Sequence, residues 1–351
     1  MLRVIEYGRQ CSTQWLALLT VAVLLGWAGT AGAQQPSRVN PTESSVNEKQ
    51  LLDALKPGGE TTVHGRISIP DSRAGNLIQP GGQDWRSWRD TTLPRIGLGL
   101  IVGMVALLAV FLVVRGRVRV EGGLAGKTIE RFNGIERFGH WLVATSFVVL
   151  ALSGLNVTYG RQFLLPLVGP EQFTDIAQVA KYMHNYMSFA FVLGLVMIFF
   201  MWVIFNLPSL RDVRWIAQGG GLVGSKHPPA GRFNAGQKLI FWTVILGGAS
   251  LTLTGYMLMF PFYQPPVGLP GGLSTASIDG LQTAVMLHGI IAVVMIAVIL
   301  AHVYIGTVGM QGAFWAMGTG KVDTNWARQH HSVWAERLVD KVGATKPAPG
   351  E

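Results

Sequence analysis

The sequence predicts an all-α membrane protein, a bundle of transmembrane helices, and three observations carry that prediction. Of 351 residues, 49% are hydrophobic and only 13% charged, a balance unusual for a soluble chain of this length. Five apolar runs, at about 96–114, 139–159, 184–205, 239–260 and 284–309, each approach the ~20 residues that cross a bilayer. The gaps between them are polar or rich in Pro and Gly, and no internal repeat is evident.

Residues 1–33 read as a secretory signal. Arg3 and Arg9 open it, an apolar stretch runs from Trp15 to about Trp27, and Ala31-Gly32-Ala33 is a small-residue cleavage site. Residues 34–94 are polar and rich in Pro, Gly and Ser. They read as a loosely ordered periplasmic arm, with Trp85 and Trp88 marking a membrane interface near its end. Residues 95–127 hold one transmembrane helix and a connection. Residues 128–310 hold the other four spans, and residues 311–351 form a tail with Trp326, Trp334 and scattered basic residues that reads as an interfacial helix.

Charge orients the bundle. The connections at 115–137, 160–183, 206–238 and 261–283 and the tail after 310 carry 6, 2, 5, 0 and 5 Lys or Arg. By the positive-inside rule the first and third connections and the C-terminus are cytoplasmic, which agrees with an exported N-terminus. The net charge of +9 is therefore read as a membrane-orientation signal and not as a nucleic-acid face. The one cysteine, Cys11, lies in the signal. No C-x-x-C-H and no thiolate cluster are available, so a redox group would be held by histidine, methionine or non-covalent contacts.

Four of the eight histidines, His140, His184, His288 and His302, lie on predicted spans, where an ionisable side chain is costly and points to function. His64, His227, His330 and His331 lie outside the spans and read as solvated. In MLHGIIAVVMIAVILAHVYIGT (286–307), His288 and His302 are fourteen residues apart. That spacing comes within about 40° of a whole number of turns and covers about 21 Å along the axis. With the orientation above, His140 and His302 fall in a cytoplasmic layer, and His184 and His288 in an outer one. Each layer draws one imidazole from each of two helices, as a six-coordinate b-type haem requires. Zinc sites converge three or four ligands on one point, which two distant pairs do not. Gly154, fourteen residues after His140, shares its face at the outer depth; alone it is more simply read as small-residue helix packing.

From about residue 128 to 340 the chain resembles the gamma subunit of respiratory, membrane-bound formate dehydrogenase, a dihaem cytochrome b. The stretches that carry the resemblance are RFGHWLVATSFVVLALSG (137–154), RFNAGQKLIFW (232–242), MLHGIIAVVMIAVILAHVY (286–304) and GKVDTNWARQHH (320–331). It implies a four-helix dihaem core plus one extra N-terminal span. His140 and His302 would hold a cytoplasmic haem b, and His184 and His288 a periplasmic one. Asn234, Gly236 and Gln237 would line a pocket for a quinone, menaquinone or ubiquinone; Asn234 also reads as the N-cap of the fourth span. The implied partners are a molybdenum-containing catalytic subunit and an iron–sulfur subunit in the periplasm, within an inner-membrane complex open to higher oligomers. The chain would supply the quinone-reducing site and no formate-oxidising residue. The alternatives are a dihaem cytochrome of a hydrogenase or thiosulfate reductase, or a haem-free anchor. A proton-coupled transporter is disfavoured, because the spans lack carboxylates and broken repeats.

Overall fold

Five long apolar helices account for most of the described residues in a computed structural model, which describes residues 82–221, 227–263, 273–275 and 277–344. They are α1 (Leu93–Arg115), α2 (Gly134–Phe163), α3 (Pro170–Trp202), α5 (Ala235–Met259) and α6 (Ile278–Tyr304), and a short helix α4 (Leu210–Ala217) sits between the third and fourth. Each long helix begins before its apolar run, and side-chain caps fix the starts of α2, α5 and α6. Asn133 and Asn234 accept the N–H of Glu136 and Gln237 at 2.9 Å, and those two side chains reach back to the cap N–H groups. The expected signal and residues 34–81 of the arm lie outside the described residues. The arm's end differs from a loose segment: Gly82–Ser87 is helical and Trp88–Thr92 is a π-turn that leads into α1. The Trp85 indole donates to the Gln282 carbonyl at 3.3 Å, which ties this start to α6.

α2 packs along α3, α5 along α6, and α3 against α5. α1 lies on the outside of α6. Gly289 admits Leu93, Gly97 admits Val293 and Tyr159, and the Tyr159 hydroxyl donates to the Pro94 carbonyl at 2.8 Å. Small residues at a helix crossing are the usual means of close approach where lipid removes the hydrophobic drive.

The structure exposes an internal repeat that hydropathy hides. Arg131-Phe132-Asn133-Gly134-Ile135-Glu136-Arg137 and Arg232-Phe233-Asn234-Ala235-Gly236-Gln237-Lys238 align at an offset of 101 (232 − 131), identical at the first three positions and similar at all the others but Ile135 and Gly236, and the likeness recurs at Trp141 and Trp242 and at Ser153-Gly154 and Thr254-Gly255. Contacts repeat as well. An Arg131 N–H donates to the Arg232 carbonyl at 2.7 Å and an Arg232 N–H to the Arg131 carbonyl at 3.0 Å. Arg137 and Trp141 donate to the Met317 carbonyl after α6, while Lys238 donates to Leu207 and Trp242 to Asn206 after α3. Each half thus grips the loop that leaves the other half. That reciprocity is the mark of a pseudo-two-fold relation between α2–α3 and α5–α6.

The tail is not a free interfacial segment. It folds back, pairing β2 (Lys321–Asp323) antiparallel with β1 (Thr128–Glu130), and continues as α7 (Thr324–His330) and α8 (Ser332–Ala344). This overturns the solvated reading of two histidines. His330 and His331 are buried, at 8% and 1% exposure, and His227 is half-buried beside His330. The reason is long-range. His331 Nδ1 meets the Gly231 carbonyl at 2.8 Å, so it carries the proton, and Nε2 accepts from the Arg131 guanidinium at 3.0 Å. Arg131 is enclosed by the rings of Phe132, Trp326 and Trp334. Burial first, and then the nearby charge of Arg232, pulls that guanidinium down to about 9. His64 lies outside the described residues.

Burial, then the charges of His227 and Arg131, lowers His330 to about 4, and burial holds His331 well below 6.5. Both are neutral in the native state. As pH falls through 6.5 the unfolded chain takes up protons that the folded one refuses, so stability is full above that pH and declines toward pH 4. The slope is on the order of 1.4 kcal/mol per pH unit for each histidine. The thermal midpoint in detergent is expected to drop between pH 7 and pH 5, and to drop less in His330→Phe.

Candidate functional site: two facing histidine pairs

The four membrane histidines come together as two separate pairs. His140 on α2 faces His302 on α6 with ring centroids 6.3 Å apart and planes at 59°. His184 on α3 faces His288 on α6 at 6.2 Å and 58°. Two opposed imidazoles on one metal, each with a bond of about 2 Å and a ring radius of about 1.1 Å, place their centroids about 6.2 Å apart. Both pairs have that spacing. α6 makes few close backbone approaches to α2 or α3, so the rings reach across gaps between helices.

The His184–His288 pair, the outer one in the orientation expected from the charges, is held by hydroxyls. Ser153 Oγ lies 2.8 Å from His184 Nδ1, and Thr254 Oγ1 lies 2.9 Å from His288 Nδ1. Each hydroxyl also donates its single proton to its own helix, Ser153 to the Val149 carbonyl at 2.7 Å and Thr254 to the Ser250 carbonyl at 2.8 Å. The hydroxyl oxygen can then only accept from the ring, so Nδ1 carries the proton and Nε2 keeps its lone pair. A neutral imidazole with a free Nε2 is the form that binds iron.

Glycines complete the cradle. A Cβ on Gly154 would lie 3.6 Å from His184 Cε1, and one on Gly255 would lie 3.5 Å from His288 Cε1. The hydroxyl–glycine pair therefore occurs twice, at repeat-related positions, once against each outer ring. This gives Gly154 a specific neighbour beyond general packing. Reading the sequence missed Ser153, Thr254 and Gly255. The signal was present as Leu150-x-Leu152-Ser153-Gly154 and Leu251-x-Leu253-Thr254-Gly255.

The inner pair breaks the repeat. His140 corresponds to Phe241, a buried core residue, so the second half offers no ring nitrogen there. His140 Nδ1 is buried without a hydrogen-bond partner among the described residues. Among the described residues no cluster of three or more His, Cys, Asp or Glu is present.

Asn234, Gly236 and Gln237 sit together at the start of α5 and are all half-buried. The side-chain oxygens of Asn234 and Gln237 are engaged in the capping box, and an Arg131 N–H lies 3.5 Å from Gln237 Oε1. A Cβ on Gly236 would meet the Trp215 ring at 3.3 Å, so this glycine lets α4 lie close over the helix start.

Known proteins match this chain over the same region. Residues 131–320 match the prokaryotic cytochrome b561 family. The formate dehydrogenase cytochrome b556(fdo) subunit of Escherichia coli K12 is 29% identical over 209 residues, 59% of this chain and 92% of that protein. The nitrate-inducible formate dehydrogenase cytochrome b556(Fdn) subunit of the same strain is 28% identical over 229 residues, 63% of this chain and 95% of that protein. A formate dehydrogenase cytochrome b556 subunit of Haemophilus influenzae is 26% identical over 217 residues, 59% and 82% of the two chains. The facing imidazoles fit the haem b that such a family carries, and five apolar helices make the chain a multi-pass membrane protein. The chain belongs to the prokaryotic cytochrome b561 family, as a membrane cytochrome b with a role in electron transfer.

Proposed function

We propose that this chain carries electrons from a periplasmic formate dehydrogenase module, made of a molybdenum-containing catalytic subunit and an iron–sulfur subunit, to a quinone reduced near the cytoplasmic face. The observation that carries this reading is the pair of two-histidine sites, one above the other on α6. His184 and His288 would hold an outer haem b, and His140 and His302 an inner one. When bound, each haem would supply one-electron redox chemistry, and the paired imidazoles would supply the nitrogens that hold it. The Lys and Arg distribution supports the orientation, and the relatives' names support formate dehydrogenase as the donor. On this reading the domains run as a signal at 1–33, an arm to 94, an extra helix and connection to 127, the dihaem core to 310 and the folded-back tail beyond.

The quinone pocket is assigned to Asn234, Gly236 and Gln237. Because the capping box uses both side-chain oxygens, the amide NH2 groups are the ends left to turn outward. Donors are what a quinone carbonyl accepts, and neutral amides place no charge in the membrane. Pyridine haemochrome analysis of the purified chain tests the reading: two b haems per chain are expected, and none or one overturns it. Gln237→Ala is expected to slow quinone reduction about tenfold, the loss of one hydrogen bond of about 1.4 kcal/mol in the transition state, with both haem spectra unchanged. Loss of a haem in that variant would contradict a role confined to quinone.

A further inference from the structure

The two histidine pairs differ in one chemical respect. Both outer rings sit with Nδ1 against a hydroxyl oxygen, whereas inner His140 Nδ1 is buried with no acceptor among the described residues. A hydrogen bond at Nδ1 pushes electron density toward Nε2 and makes the imidazole a stronger donor to a metal. Stronger donation favours the ferric over the ferrous state, which lowers the reduction potential.

We propose that Ser153 and Thr254 set the redox order of the two sites: by accepting Nδ1–H from His184 and His288 they hold the outer centre at a lower potential than the inner centre, so that an electron shared between them resides inside. The proposal rests on the dihaem reading above. Both outer ligands are tuned in the same sense, so their effects add on one iron. Duplication supports a built feature. Ser153 and Thr254 stand 22 residues after Arg131 and Arg232 (153 − 131 and 254 − 232), each followed by the glycine that admits its histidine. The helix carbonyls 2.7 and 2.8 Å from the two hydroxyl oxygens can only accept, which favours the orientation in which each hydroxyl proton points along its own helix and the ring Nδ1–H is the donor.

Ser153 and Thr254 are positioning residues that act through His184 and His288. The test is an equilibrium redox titration of the α-band in the haem-loaded chain, followed in a His140→Ala background that leaves the outer centre alone. Ser153→Ala and Thr254→Val should each raise the reduced-to-oxidised ratio of the outer centre at a fixed ambient potential by about threefold. The double variant should raise it by about tenfold, which is about 59 mV for a one-electron couple. Haem content should remain one per chain in that background, and with His140 restored the inner centre should not move. Ser153→Thr and Thr254→Ser keep an acceptor and should titrate as the parent does.

An outer centre whose potential is unmoved at full haem content overturns the proposal and leaves the dihaem reading standing. So does a shift of equal size in the hydroxyl-retaining variants, which would report packing instead of hydrogen bonding. A loaded parent in which His184→Ala and His288→Ala keep both haems overturns the dihaem reading itself.

Discussion

His302→Ala is expected to lose one of two b haems and to lower quinone reduction by more than about a hundredfold, since even outer-shell changes at metal sites cost 10–100-fold. The ring it removes stands 6.3 Å from His140, and among the described residues no third histidine is paired with either. The outer pair lies about 21 Å away along α6 by helical rise and keeps both of its hydroxyl contacts, so its haem should remain. Electrons would then enter the chain without reaching the quinone side. His140→Ala should remove the same haem, and His184→Ala and His288→Ala the other, which on the proposed reading interrupts input from the electron-donating module. Haemochrome stoichiometry and a reduced-minus-oxidised spectrum on each variant decide the matter. Two haems surviving in His140→Ala would show that the pairing is wrong.

The second large effect is expected at Glu136. Its carboxylate accepts from the Arg232 guanidinium at 2.7 and 2.9 Å and from the Trp202 indole at 2.9 Å, with a side chain only 7% exposed. Arg232 also donates to the Arg131 carbonyl, where the two repeats meet. Removing one partner of a buried pair strands the other charge, so Glu136→Ala should cost about 3–5 kcal/mol. It should also leave Arg131 and Arg232 without a carboxylate between them. A fall in the thermal midpoint and in the yield of haem-loaded protein is the expected result. Arg232→Ala should be comparably harmful and the double variant less harmful than the sum, because the two share one interaction. A midpoint within error of the parent in Glu136→Ala would show that water screens the pair.

Much of this was legible in the residues themselves. The spans follow from hydropathy, because a bilayer forces its helices to be apolar along their length. The separation of the two pairs follows from helical rise, because fourteen residues on a straight helix fix the distance and shared face of His288 and His302 whatever lies around them. The cap at Asn234 follows from N-x-x-Q chemistry, and the same pattern at Asn133 follows from N-x-x-E.

Other features needed the folded chain. The repeat survives at a few positions that make contacts, while the lipid-facing residues between them are interchangeable apolar side chains that carry no register. Its departures, such as Phe241 opposite His140, remove the residues that would have advertised it. His330 and His331 sit in a polar tail that reads as surface, and they are buried only because β2 pairs with β1 some 200 residues earlier and Arg131 is there to receive them.

The sequence by itself determined which segments form long apolar helices and how far apart along one helix His288 and His302 lie, because both depend on local helical geometry and composition. Only the tertiary structure decided which nitrogen of each outer ring carries the proton, that the two halves grip one another's loops, and that the tail closes over Arg131. Those depend on partners brought together from distant parts of the chain, and no local pattern of residues specifies a partner.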